Sequence, residues 1–109
     1  MGKTNADYII DRFLILECDT VSMAAAMKRA DNGDRITQSV ERRNLLHLLP
    51  FFEKSVDRMH EALTEYFDDA AASVLAALIG VYISSVIDTR ETNAGVRKAI
   101  VNLIRRHAN

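Results

Sequence analysis

The eighteen residues 70–87 carry no charged side chain, and this run constrains the fold more than any other segment. A helix that is apolar on nearly every side has to be covered on nearly every side, by its own chain, by a second copy or by lipid. Four small residues recur in the run at a spacing of four, which places them on one side of a helix where another backbone can approach closely: Ala72, Ala76, Gly80 and Ser84. The pattern predicts a central uncharged helix over about residues 69–87, with this small-residue strip as a helix-packing or dimer contact.

The remaining sequence is typical of an all-α protein folded as one domain over residues 1–109. Its length suits a single hydrophobic core. The chain has only four glycines and one proline, and this scarcity of turn-forming residues favours long helices over a sheet. Helix caps are expected at Thr4, at Asp34, at Asp68 or Asp69, and at Asn93, and the clearest turn covers residues 31–34. A second cap at 19–20 either restarts the first helix or lies within it. We therefore expect a compact bundle of five or six helices.

Pro50 is the only proline, and it lies in the middle of an otherwise helical stretch. Proline lacks a backbone donor, and its ring clashes with the preceding helical turn. The sequence thus predicts that Pro50 separates two helices or bends one helix sharply, by more than about 20°.

Charge is distributed unevenly, although the formal net charge of the chain is only −1. Four acidic residues follow one another at a spacing of four and form an acidic stripe: Glu53, Asp57, Glu61 and Glu65. Like charges at this spacing weaken a helix slightly, which invites a functional reason. The stripe is interpreted either as a docking face for a basic partner or as a solvated face. In the second case the basic last helix is a candidate neighbour.

The last helix carries four bases, which give it a candidate nucleic-acid-binding face: Arg97, Lys98, Arg105 and Arg106. Contacts from such bases to phosphates would make binding strongly dependent on salt. No aromatic residue is interleaved with them, and bases near a helix C-terminus also complement the helix dipole without any ligand.

Signals for catalysis, metals and cofactors are weak, so we expect no enzyme activity, no cofactor and no metal site. Asp57 and His60 have the acid-x-x-His spacing of di-iron bundles, but a second such motif is missing. No phosphate-binding glycine loop or nucleophile motif occurs. The single cysteine, Cys18, has apolar neighbours that suggest burial, and a secretory signal is not evident, so a cytoplasmic location is expected.

The uncharged run approaches the length of a membrane span, but its small residues and the acids at both ends favour a buried helix without membrane contact. We expect a small protein-binding module of the inhibitor, immunity, adaptor or regulatory type that acts through helix surfaces and forms a homodimer. The alternative is a helical regulator that associates with nucleic acid through its basic last helix.

Overall fold

The computed structural model describes residues 4–108, and within them the chain forms four helices and no strand. The helices are α1 (Asn5–Asn32), α2 (Arg35–Tyr66), α3 (Asp69–Thr89) and α4 (Ala94–His107). The expected all-α class is confirmed. The expected count of five or six helices is wrong, because two of the anticipated interruptions do not occur.

The first of these interruptions is the possible start of a new helix at residues 19–20. The structure shows that α1 continues through these residues without a break. The Thr20 side chain is fully buried, and its hydroxyl donates to the Leu16 carbonyl at 2.6 Å instead of capping a new helix. A threonine bonded to the carbonyl four residues earlier is compatible with a continuing helix. The helix begins at the predicted capping box, in which Thr4 and Asp7 exchange hydrogen bonds.

The second absent interruption is at Pro50, which lies inside α2 and does not separate two helices. The proline is exposed, so water can reach the carbonyl of Leu46 that loses its partner. Polar contacts to α1 fasten α2 on both sides of the proline. Glu41 pairs with Arg29 at 2.8 Å before it, and the Ser55 hydroxyl donates to Asp19 after it. The alternative form of the expectation, a sharp bend within one helix, stays a prediction.

Both ends of α3 are defined by residues outside the uncharged run. Asp68 caps its N-terminus by accepting from the backbone N–H of Ala71 at 2.8 Å. At the C-terminus, Arg90 adopts the left-handed conformation (φ 62°), and its guanidinium contacts Asp31 of α1 and donates to the Ile87 carbonyl. Asn93 then caps α4 through Val96, as predicted.

Within the described residues, α1 and α3 each pack against all three other helices, and the contact of α1 with α2 is the most extensive. Within residues 4–108, α2 and α4 do not pack against each other. The four helices run alternately up and down and form a rhombus, with α1 and α3 across its short diagonal.

α3 thus contacts every other helix, but the single chain does not cover it on all sides. The fully buried large side chains include Phe13 and Ile9 of α1, together with Leu75, Val86 and Ile104 of the later helices. These side chains all meet on the α1 side of α3. Only one side of α3 reaches the core, and the other side faces solvent.

Gly33, between α1 and α2, is required by close approach rather than by an unusual backbone conformation. A Cβ at this position would collide with the Thr37 side chain and would lie 2.9 Å from the carbonyl oxygen of Arg29. We expect Gly33→Ala to lower the free energy of unfolding by about 1–3 kcal/mol, measured by urea denaturation.

Gly80 provides the matched control, because a Cβ there would meet no other atom within 4 Å. Gly80→Ala should raise the unfolding free energy of the chain by up to about 1 kcal/mol through helix propensity. Equal effects of the two substitutions would show that the turn at Gly33 has room to adjust.

Pro50→Ala is expected to stabilise the protein. The substitution restores an N–H donor to the Leu46 carbonyl, and the exposed proline ring gives up little packing. The predicted gain is about 1–3 kcal/mol in urea denaturation. A loss of stability would instead mean that the packing of α2 on α1 depends on a bend at this proline.

Candidate functional site

The side of α3 that faces away from α1 forms a continuous exposed surface. Six exposed residues follow one another there at alternating spacings of four and three, and we call them the outer seam: Ala70, Val74, Ala77, Val81, Ser84 and Asp88. Its two valines are 59% and 70% exposed. A repeat of 3.5 residues is the pattern by which one helix presents a seam to another helix lying along it.

The opposite side of α3 carries a second seam, which the core already uses. Leu75, Ile79, Tyr82 and Val86 have the same spacing of four, three and four, and all four are buried against the other helices. Only 28% of the most apolar 18-residue window of α3 is buried, although its mean hydropathy is 2.1. The composition of α3 is thus that of a helix packed on two sides. In a single copy, only one of its sides is packed.

The outer seam is bordered by a groove on each side. On one side, Gly80 and Ser84 line a groove of about 370 Å³ together with Val56 and His60 of α2. On the other side, Leu78 lines a groove of about 410 Å³ against α4. The exposed surface is therefore broader than one helix, with α3 as its ridge and α2 and α4 as its margins.

The small-residue strip predicted from the sequence lies along the α2 side of this ridge. Residues four apart are rotated by about 40° around a helix, so the strip turns gradually from the core towards solvent. Ala72 is half-buried, whereas Ala76, Gly80 and Ser84 are exposed. Contacts within one chain do not need glycine at position 80. A role for the strip in a dimer stays a prediction.

A buried polar network holds α3 and α4 against α1. Arg97 of α4 contacts both carboxylate oxygens of Glu17 at 2.8 Å, and the Tyr82 hydroxyl donates to the same carboxylate. The backbone N–H of Asn93 donates to that hydroxyl at 3.2 Å. Burial, and next the hydrogen bond to Glu17, raises the pKa of Tyr82, while the bond to Glu17 raises the pKa of Arg97. Sequence reasoning missed this network because Glu17 and Arg97 lie far apart along the chain, in the first and last helices.

The four bases proposed for nucleic acid have different surroundings. Arg97 is engaged with Glu17, and Arg105 lies 3.3 Å from Asp7. Lys98 and Arg106 are exposed, and neither takes part in the ion pairs found among residues 4–108. Two of the four positive charges thus already have acidic partners.

All four residues of the acidic stripe are exposed on α2: Glu53, Asp57, Glu61 and Glu65. The basic last helix is not their neighbour in the same chain, because α4 does not pack against α2 in the described residues. The stripe therefore faces solvent in a single copy. Its use as a docking face stays a prediction.

Other candidate residues do not converge on a site. Among residues 4–108, no group of three or more His, Cys, Asp or Glu side chains is placed to hold a metal ion. His60 is exposed beside the α2–α3 groove, and Asp57 is exposed on the same helix. The expected burial of Cys18 is wrong, because its side chain is exposed.

One described helix, α3, is long and apolar enough to cross a membrane by length and composition alone. This property is weak support for a membrane span, since core helices of soluble proteins share it. Asp68 and Asp88 lie at its ends, and Tyr82 bonds it to α1 in the middle.

The chain matches no family model, no curated protein and no solved structure.

We expect Arg97→Met to destabilise the protein, because the largely buried Glu17 carboxylate loses its charged partner. The predicted loss is about 1–3 kcal/mol, below the full cost of an unpaired buried charge because the Arg97 side chain is 32% exposed. Urea denaturation at neutral pH measures it. Glu17→Gln in the Arg97→Met background should recover part of the loss, since an amide is easier to bury than a carboxylate. A further loss in the double variant would contradict this account.

Proposed function

We propose that this protein is a small non-enzymatic binding module that docks a protein partner on the outer seam of α3. The observation that supports the proposal is the exposure of an uncharged helix whose buried and exposed sides have the same heptad-like spacing. A protein helix lying along α3 would fill this pattern, with the valines inserting between residues of the facing helix.

The make-up of the seam favours a helical protein partner over a small molecule. Alanine and serine between the valines leave room for a close helix–helix approach, and the seam, over residues 70–88, is about 28 Å long. The grooves beside it are shallow margins of this ridge rather than a deep cleft with convergent polar groups, which a catalytic or small-molecule site usually has.

The alternative function, nucleic-acid association through α4, has less support. Arg97 and Arg105 are engaged with acids of α1. Lys98 and Arg106 leave too few unengaged bases on this helix for an extended contact with phosphates.

Site-specific photo-cross-linking tests the proposed docking surface. Val81→p-benzoylphenylalanine places a cross-linker in the outer seam, and the matched control is Val40→p-benzoylphenylalanine, at an exposed valine on α2. In cells of the native host, the variant at position 81 should form adducts with protein at a yield at least about tenfold above that at position 40. Mass spectrometry then identifies the adduct, and the purified partner is expected to bind the unmodified chain.

Several results would contradict the proposal. Adducts with lipid alone would indicate that the seam faces a membrane, and equal adduct yields at the two positions would indicate non-specific contact. Salt-sensitive retention of duplex or single-stranded nucleic acid at physiological ionic strength, together with an absence of protein adducts, would support the alternative.

A further inference from the structure

We infer that the occupant of the outer seam is a second copy of this chain, packed with its α3 parallel to the first. This inference rests on the proposed function and specifies its partner. The two α3 helices would lie along a two-fold axis, each burying the outer seam of the other, with α2 of one copy across from α4 of its partner.

The surface of the chain is large enough to include a dimer interface. The accessible surface is 7061 Å², whereas a folded monomer of 12.2 kDa is expected to expose about 6,100 Å². The excess reflects the elongated shape of the bundle, 49 × 28 × 24 Å, which also raises the radius of gyration to 15.4 Å against an expected value of about 13 Å. A standard interface needs roughly 800 Å² from each partner.

The two-fold axis can run along α3 or across it, and the charges on the margins distinguish the two arrangements. An axis across α3 makes the helices antiparallel and places α4 opposite α4, so that the unengaged bases Lys98 and Arg106 of one copy face those of the other. An axis along α3 makes them parallel and places α4 opposite α2. α2 as a whole has as many bases as acids, but its second half carries the four acids of the stripe against two bases, Lys54 and Arg58, whereas α4 carries no acid. The parallel arrangement therefore places the excess acids of α2 opposite the bases of α4.

The charged residues also lie at matching levels along the bundle. Arg97 of α4 bonds to Glu17, and Ser55 of α2 bonds to Asp19, only two residues further along α1. A two-fold axis parallel to α3 leaves these levels unchanged. The acidic stripe of one copy therefore lies at the height of the bases of the other.

Several of these charges are next to the surface that would be covered. Glu53 and Asp57 precede the groove residues Val56 and His60 by three positions, and residues three apart are neighbours on a helix. In the same way, Lys98 and Arg106 each follow a residue that lines the α3–α4 groove by three positions, namely Gly95 and Leu103. The unengaged bases of α4 thus border the face that meets the acidic stripe of α2.

In the parallel arrangement each seam residue meets its own counterpart. The valines form two layers, and Ala70, Ala77 and Ser84 form the small layers between and beside them. Small layers let the helix axes approach more closely than side chains of leucine size would allow. The two Asp88 carboxylates also face each other, at the exposed end of the seam, where water and salt screen their repulsion.

Light scattering coupled to size-exclusion chromatography tests the second copy. At micromolar concentration we expect the dimer mass, twice the 12.2 kDa of one chain. Val81→Lys should raise the dissociation constant of the dimer by at least about 30-fold, since it buries an unpaired ammonium at the centre of the seam. Val40→Lys, at an exposed valine outside the seam, should leave it unchanged. Circular dichroism confirms that both variants remain helical.

Disulfide trapping tests the orientation in a Cys18→Ser background, which removes the exposed native thiol. A disulfide needs Cα atoms within about 7 Å of each other. Ala70→Cys should cross-link to its own counterpart upon mild oxidation, more than tenfold faster than Val40→Cys. A mixture of Ala70→Cys and Asp88→Cys chains should give no mixed dimer, because those positions meet only when the helices are antiparallel.

The outcomes separate the two proposals. A monomer mass for the unmodified chain, or mixed Ala70→Cys–Asp88→Cys dimers, would overturn the parallel second copy. If the chain is monomeric and the cross-linker at position 81 captures a different protein, the second copy is wrong and the docking surface stands. If the chain is monomeric and no protein adduct forms, both are wrong.

Discussion

The packing of α1 against all three other helices is the contact on which the rest of the structure depends. Its core side chains, Phe13 and Ile9 among them, are covered completely, and its polar residues fasten each neighbour: Glu41 through Arg29, Tyr82 and Arg97 through Glu17, and Arg90 through Asp31. α3 also contacts all three other helices, but on one side only, and α1 likewise has an exposed side that includes Leu14, Ile15 and Val21. The exposure of the outer side of α3 follows from this four-helix arrangement.

The helices themselves could be predicted well from local signals. Caps at Thr4, Asp34, Asp68 and Asn93 depend on residues within three positions of one another, and the structure contains all four. Local signals failed where tertiary contact outweighs propensity. Pro50 breaks an isolated helix, but contacts of α2 with α1 on both sides of it carry the helix through.

The functional surface was harder to predict. Composition indicates that an apolar helix has to be covered, but it does not indicate whether the same chain, a second protein or lipid covers it. Residues 70–87 led to the expectation of a central helix, and the same run lies half in solvent. The 3.5-residue spacing of the outer seam is visible in the sequence. This spacing indicates a docking surface only once the packing shows which of the two seams of α3 is buried in the core. The Glu17–Tyr82–Arg97 network joins three helices, and no spacing rule finds such a long-range set.

The separation of α2 from α4 has a consequence for the motions of the bundle. With 14 residues, α4 is near the length at which an isolated helix is marginal in water, so its helicity depends on docking to α1 and α3. Its detachment would leave the α1–α2 hairpin, with its own extensive contact, intact. The amide protons of α4 should therefore exchange with solvent by local opening, while those at the centre of α1 exchange only by global unfolding. The molecule thus has a graded cooperativity, with α1 as its most persistent element and α4 as its most readily released one.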